Sequence, residues 1–181
     1  MRIVGGKFKG RILKSFDLNT TRPTSDMVRE ALFNILYSVT NKTFLDVFGG
    51  TGAVGLEAVS RGARQVTVIE KNKDAQKIIL NNVKNLGANN IDLICDDALC
   101  AIKKLNTQNK YFDIVFIDPP YASNLAEDCL KELYKTNLID ENSIIVWEHD
   151  KTKLETKAHG FITLKTKKYG IKYLSVLTKQ N

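Results

Sequence analysis

The chain has 181 residues, of which 43% are hydrophobic and 26% charged, so its composition excludes a wholly disordered protein and favours one globular domain with a substantial core. No apolar run reaches the length of a membrane span, and the first residues lack a signal-peptide core, so we expect a cytoplasmic protein. The three cysteines and two histidines lack the spacing of metal ligands, and we therefore expect no metal site.

The formal net charge of +7 is concentrated at the two ends of the chain. Six basic residues and one acid precede Pro23, and eight lysines and one acid follow Asp150. The middle carries 13 basic and 18 acidic residues. Basic ends on a slightly acidic body favour a polyanionic partner, nucleic acid first, over the alternative that the lysines only keep exposed ends soluble.

Residues 1–15 are expected to form a small β-hairpin, because glycines flank a turn between two short apolar segments. The tip presents Phe8 between Lys7 and Lys9, which suits a phosphate backbone with a stacked base; packing of the ring onto the domain is the alternative. A helix follows over residues 24–36, with apolar residues on one face. Arg22 and Arg29 beside it either have a further role or are merely solvated. Hairpin and helix, residues 1–42, would extend a main domain of residues 43–181.

From residue 43 onward, predicted strands alternate with predicted helices. We expect strands at residues 43–48, 65–70, 91–95, 114–118 and 143–148, and a final pair near residues 161–165 and 171–177, joined by residues 166–170. Between them we expect helices at residues 56–60, 74–86 and 125–134, with a short helix after residue 98. This alternation predicts an α/β fold with a doubly wound, mostly parallel, seven-stranded sheet whose final pair is antiparallel.

A glycine-rich turn follows the first strand, and Gly50, Gly52 and Gly55 satisfy the pattern G-x-G-x-x-G. Such glycines let the backbone approach a ligand closely. Glu70 ends the next strand, about twenty residues on, where an acid commonly accepts hydrogen bonds from ribose hydroxyls. The literal pattern suggests NAD as the ligand. Asp46, just before the glycines, favours S-adenosylmethionine instead, because it could orient an ammonium group.

The third strand leads into Asp96, Asp97 and Ala98. Asp97 and Ala98 could accept hydrogen bonds from an adenine amine, with Asp96 as a competitor for that role. The fourth strand ends in Asp118-Pro119-Pro120-Tyr121, because proline lacks the N–H that a sheet ladder needs. This turn holds a carboxylate, a carbonyl and a ring at the sheet edge where ligands bind. A plain strand-ending turn is the alternative.

In combination, these motifs resemble those of class I S-adenosylmethionine-dependent amino-methyltransferases, and the chain as a whole resembles the 16S rRNA (guanine-N2)-methyltransferases that modify guanine 966. The resemblance is carried by Arg2-Ile3-Val4-Gly5-Gly6, Gly10-Arg11, the segment from Arg22-Pro23-Thr24 through Phe33-Asn34, the segment from Asp46 to Gly52, Glu70, Asp97 and Asp118-Pro119-Pro120-Tyr121. It implies a Rossmann-like fold and a cofactor site formed by Asp46, Phe48, Gly49, Gly50, Thr51, Gly52, Glu70, Lys71, Asp97, Ala98 and Asp118.

The resemblance also implies how the chemistry runs. Asp118 and the Pro119 carbonyl would accept the N–H groups of an exocyclic base amine, and Tyr121 would stack on a base flipped out of the RNA. Catalysis would therefore involve Asp118, Pro119, Pro120 and Tyr121. RNA would be bound by Lys7, Phe8, Lys9, Arg11, Arg22, Lys167 and Lys168.

The expected substrate is 16S rRNA, naked or within a partly assembled small subunit, and the expected enzyme is a monomer. A DNA or RNA adenine-N6 methyltransferase is the nearest alternative, because the same motif serves both amines. An NAD-dependent oxidoreductase would leave the two prolines and the basic ends unused. A non-catalytic RNA-binding module would explain the charge but not the cofactor-like motifs.

Overall fold

A computed structural model describes residues 1–16, 26–120, 124–150 and 159–180. The elements follow one another as α1 (Asp26–Leu36), β1 (Thr43–Asp46), α2 (Ala53–Ser60), β2 (Gln65–Ile69), α3 (Lys73–Leu86), β3 (Ile91–Ile94), α4 (Ala98–Thr107), β4 (Ile114–Ile117), α5 (Leu125–Tyr134), β5 (Ile144–His149), β6 (Phe161–Tyr169) and β7 (Lys172–Lys179). No helix in these ranges is long and apolar enough to span a bilayer.

The strands form one sheet in the order β3-β2-β1-β4-β5-β7-β6. Strands β1 to β5 are parallel, and β7 runs antiparallel to both β5 and β6. This confirms the predicted α/β fold with a doubly wound, mostly parallel sheet. The chain order reverses between β1 and β4, and in open sheets of this kind the carboxyl ends of the strands at that point form the ligand crevice.

Helices cover both faces of the sheet, which is why the central strands are apolar on both sides. In β4, Phe116 packs in one core with the hairpin and helices α1 to α3. Its neighbours Val115 and Ile117 pack in a second core with helices α4 and α5. Fully buried β4 therefore holds the residue that follows it, Asp118, in a fixed position.

The N-terminal segment forms the predicted hairpin, with one antiparallel bridge between Arg2 and Ile12. It lies directly against α2: the Lys7 N–H donates to the Ser60 carbonyl, and the Ser60 hydroxyl accepts the Phe8 N–H. Gly6 has a φ of +75°, and a Cβ there would lie 1.9 Å from the Ser60 carbonyl oxygen. Close backbone contact with α2 therefore requires glycine. Residues of the hairpin and of the sheet pack in one core. The division into residues 1–42 and 43–181 therefore stays a prediction.

The last two strands correct one expectation. The sequence predicts that residues 166–170 join them as a turn, but β6 continues to Tyr169, and the chain turns at Gly170, where φ is +63°. The second half of β6 is not predicted from the sequence, because its lysines break the apolar pattern. Strand β6 is the sheet edge and is exposed over most of its length, a place where lysines are common because they discourage edge-to-edge pairing.

Candidate active site

A cavity of about 740 Å³ opens at the carboxyl ends of the parallel strands. It brings together most of the residues predicted for the site: Asp46, Phe48, Gly49, Gly50, Thr51, Glu70, Lys71, Asp97, Ala98, Asp118, Pro119 and Pro120. Gly52, the N-cap of α2, is predicted for the site but is not among the residues that line the cavity. Tyr121 lies outside the described residues. Sequence motifs separated by more than seventy positions thus meet in one cavity.

The glycine-rich loop and Glu70 are joined directly. The Gly50 N–H donates to Glu70 Oε2 at 2.8 Å, and the Asn72 N–H donates to Glu70 Oε1 at 2.7 Å. Gly50 has a φ of +55°, and no atom lies within 4 Å of the position that a Cβ would take. The loop therefore leaves open space beside a carboxylate that two backbone N–H groups hold in place.

Asp46 is almost fully buried at the end of β1. Its Oδ2 accepts the Gly55 N–H at 3.2 Å, and the Phe48 N–H also stabilises the carboxylate, whereas Oδ1 has no partner in hydrogen-bond geometry among the described residues. Burial raises the pKa of Asp46 from 3.8 to about 7, and the nearby charge of Glu70 adds to that rise. A buried carboxylate with an unused oxygen suits a ligand that brings a cationic N–H donor.

The two acids after β3 have different partners. Asp96 accepts a hydrogen bond from Lys104 at 2.5 Å, and that bond lowers the pKa of Asp96. Asp97 uses Oδ1 to cap helix α4 through the Leu99 N–H at 3.0 Å. Because Lys104 already pairs with Asp96, the geometry favours Asp97 over Asp96 for contact with a ligand.

Asp118 follows β4 directly, and its side chain is about a quarter exposed, at 24%. Lys172 Nζ lies 4.0 Å from Asp118 Oδ1 and 2.9 Å from Glu148 Oε1. Both Lys172 and Glu148 line the cavity, and the sequence interpretation missed them. For Glu148 the sequence did contain a signal, because it is an acid near the end of an apolar strand, the same arrangement that indicated Asp118.

Within the described ranges, the predicted RNA-binding residues are exposed, with one exception. Phe8 is half-buried against the core, with Lys7 Nζ 4.7 Å from its ring centroid, which supports the packing alternative for that ring. Arg11 donates to the Asn85 carbonyl at 2.8 Å. The remaining residues of this set in the described ranges, Lys9, Lys167 and Lys168, are exposed. Arg22 lies outside those ranges, and RNA contact by the whole set stays a prediction.

In the described parts of the chain, no three His, Cys, Asp or Glu side chains come together as a metal would need. The unused Asp46 oxygen and the open space at Gly50 fit an organic cofactor that carries an amino group.

Solved structures have the same architecture. The Escherichia coli protein yhhF superposes with a TM-score of 0.84 and 29% identity, covering 99% of this chain and 98% of its own. The Haemophilus influenzae protein HI0767 gives a TM-score of 0.82 at 32% identity, covering 100% and 99%. A ribosomal protein L11 methylase from Lactobacillus delbrueckii shares the fold at a TM-score of 0.69 and 16% identity, covering 86% and 78%.

Fold, site and relatives together define the class of protein: a class I methyltransferase, dependent on S-adenosylmethionine. The chain belongs to the family described as Conserved hypothetical protein 95, whose model matches residues 1–178, and to the family of ribosomal RNA small subunit methyltransferase D. The H. influenzae member is 34% identical over 94% of this chain and 90% of its own. The E. coli K12 member is 35% identical over 83% and 75%.

Proposed function

We propose that this enzyme transfers the methyl group of S-adenosylmethionine to the exocyclic N2 amine of a guanine in small-subunit ribosomal RNA. One observation carries the proposal: the Asp118 carboxylate opens into the same cavity as the glycine-rich loop, Asp46 and Glu70. A base amine accepted by Asp118 would therefore meet a cofactor held by the loop. The names of the relatives supply the RNA class, since they are small-subunit ribosomal RNA methyltransferases.

The cofactor-holding residues each match one part of S-adenosylmethionine. Asp46 Oδ1 would accept an N–H of the ligand's ammonium group, directly or through water, and so satisfy its unused oxygen. Glu70 would accept hydrogen bonds from the ribose hydroxyls, and Asp97 with Ala98 from the adenine amine. Half-buried Phe48 and exposed Lys71 line the same wall, beside Gly49, Gly50 and Thr51. When bound, the cofactor supplies a methyl group on a good leaving group, so no metal is needed.

Asp118 and the Pro119 carbonyl act on the target amine. The lone pair of an exocyclic base amine is delocalised into the ring, which makes the nitrogen a poor nucleophile. Two acceptors that each hold one N–H favour a pyramidal nitrogen and aim its lone pair at the methyl group. Asp118 then takes the released proton or passes it to water. Pro119 and Pro120 stop the strand, so that the carbonyl and carboxylate stay fixed in place.

RNA would be bound both at the target base and along its phosphate backbone. Tyr121 would stack on the flipped base, and the basic ends would bind phosphates, which adds affinity without choosing the base. The residues proposed for that contact are Lys7, Phe8, Lys9, Arg11, Arg22, Lys167 and Lys168. We further propose that the enzyme acts as a cytoplasmic monomer, on 16S rRNA either naked or in a partly assembled subunit.

Methyl transfer from labelled S-adenosylmethionine to small-subunit RNA tests the proposal. The RNA is offered with and without small-subunit proteins, then digested to nucleosides and analysed by mass spectrometry. We expect N2-methylguanosine at one mapped position. N6-methyladenosine as the product would overturn the guanine assignment, and transfer to neither base would overturn the RNA substrate. Binding of NAD in place of S-adenosylmethionine would overturn the cofactor.

A further inference from the structure

Glu148 occupies the position beside Asp118 on the neighbouring strand. Strands β4 and β5 pair in parallel up to Ile117 and Trp147, so the residues that come next in the chain, Asp118 after β4 and Glu148 within β5, are lateral neighbours. Side chains two residues apart on a strand share a face. Phe116 packs with the hairpin and α1 to α3, so Asp118 and Glu148 lie on that face, where the cavity opens.

Lys172 fixes one half of the Glu148 carboxylate. Its Nζ donates to Oε1 at 2.9 Å and lies 4.0 Å from Asp118 Oδ1. An ammonium group near two carboxylates offsets their mutual repulsion. Lysine can only donate hydrogen bonds. The atom of residue 148 that faces Lys172 must therefore be an acceptor.

The other half of the Glu148 carboxylate has an unmet hydrogen bond. Oε2 is shielded from bulk water and has no hydrogen-bond partner among the described residues, and Glu148 as a whole has a relative exposure of only 5%. Buried polar atoms are nearly always paired, and leaving a charged one unpaired is costly. A purely structural ion pair would gain nothing from this arrangement. Oε2 is an acceptor next to Asp118, the residue proposed to bind the target amine. A hydrogen-bond donor on the substrate would therefore supply the partner that Oε2 lacks.

We propose that Glu148 selects guanine by accepting the N1–H of the target base through Oε2, with Lys172 as the positioning residue. This inference rests on the proposed function and identifies the residue that distinguishes guanine from adenine. In guanine, N1–H stands next to the N2 amine, so neighbouring acceptors on Asp118 and Glu148 match neighbouring donors on the base. In adenine, N1 is an acceptor and faces a carboxylate unfavourably.

The test compares two RNAs that differ only at the mapped target: guanine, or 2-aminopurine, which keeps the amine but lacks the N1 proton. We expect the wild-type enzyme to transfer methyl to the guanine RNA faster in a single turnover, by about tenfold to a hundredfold, the range for one good base contact. In Glu148→Gln, the amide oxygen must face Lys172, so the NH2 group takes the place of Oε2. That variant should lose the preference for guanine or reverse it.

The matched control is Glu132→Gln, the same chemical change on helix α5, which should keep the wild-type ratio. Thermal melts and S-adenosylmethionine binding establish that each variant is folded. An equal loss of rate on both RNAs in Glu148→Gln would overturn the base-selecting role, and so would a wild-type enzyme that does not distinguish the two RNAs. Wild-type enzyme inactive on the guanine RNA would instead overturn the proposed function itself.

Discussion

Arg29 and Glu57 are both fully buried, and Arg29 Nε lies 3.6 Å from Glu57 Oε2. The pair joins α1 to α2 beneath the N-terminal hairpin. Glu57 also accepts the N–H groups of Val4 and Gly5, each at 2.7 Å, and Arg29 donates to the Arg2 carbonyl. The hairpin is therefore held to the domain by a buried carboxylate and a buried guanidinium, rather than by apolar contact alone.

Glu57→Gln tests that anchor. Arg29 would keep its ion pair with Asp26, but the amide would remove the charge that faces Arg29 and Arg61 and would present N–H groups to backbone donors. The free energy of unfolding should therefore fall by about 3 kcal/mol or more, the scale for breaking a buried ion pair. Urea denaturation followed by Trp147 fluorescence measures it. Asp74→Asn, which removes an exposed partner of Lys77, is the control and should change nothing measurable. Equal stability of both variants would contradict the anchoring role.

Because the pKa of Asp46 is raised to about 7, the stability of the folded protein and its affinity for S-adenosylmethionine should both depend on pH. Between the unfolded value of 3.8 and about 7, the folded protein binds more protons than the unfolded chain, so the ligand-free protein should become less stable as pH rises through that range. Binding of an ammonium group needs the ionised carboxylate. Affinity for S-adenosylmethionine should therefore increase with pH up to about 7, by at most about tenfold per pH unit.

Asp46→Asn removes the titrating group and supplies the comparison. The free energy of unfolding of this variant should no longer fall as pH rises through that range. Its affinity for the cofactor should be weaker than that of the wild type and nearly constant with pH. Calorimetric binding and thermal melts at matched pH values give both curves. If the variant and the wild type have parallel affinity curves, Asp46 does not contact the ammonium group.

Glu70→Ala tests the other end of the cofactor site. The substitution removes the proposed ribose contact and the acceptor of the Gly50 N–H, so S-adenosylmethionine binding should weaken by about 1–3 kcal/mol, the scale for hydrogen bonds to a charged group. Calorimetry measures it. Asp92→Asn, on the neighbouring strand β3 and outside the cavity wall, should bind the cofactor normally. Unchanged affinity in a folded Glu70→Ala protein would remove Glu70 from the site.

Much of this site could be predicted because its signals are local. A strand, a glycine turn and a helix are neighbours in sequence, and an acid that ends an apolar strand is placed at the ligand edge by the sheet itself. The end of the helix from Lys73 to Leu86 is predicted correctly by Gly87, which adopts the left-handed conformation there.

The interactions that sequence reasoning missed depend on distant parts of the chain. Glu57 meets residues more than fifty positions away, and nothing near it in sequence indicates that a helical glutamate is fully buried. Glu148 and Lys172 meet only because β7 returns antiparallel beside β5. Pairing of that kind follows from the sheet register, which the alternation of residues along one strand does not define.

The basic ends give a prediction for RNA binding. Replacing Lys7, Lys9 and Arg11 together by Gln should weaken RNA binding and reduce the salt dependence of log K, by roughly 0.7 in slope for each single-strand phosphate that is no longer bound. Cofactor binding should barely change. The control replaces three exposed lysines around α4 and α5: Lys103, Lys110 and Lys135. An unaltered slope in the hairpin variant would show that these residues act only in the structure.

Asp118 carries the central claim, and single-turnover methyl transfer to small-subunit RNA at saturating S-adenosylmethionine tests it most directly. Asp118→Asn keeps an acceptor oxygen, so it should retain a measurable rate, whereas Asp118→Ala removes the acceptor and should abolish transfer. Asp118 lines the cofactor cavity, but its proposed hydrogen bond is to the target amine, which arrives only with the RNA, so both variants should still bind the cofactor. Asp128→Ala on α5 serves as the control for folding and should transfer at the wild-type rate. Near-normal transfer by Asp118→Ala would contradict the account.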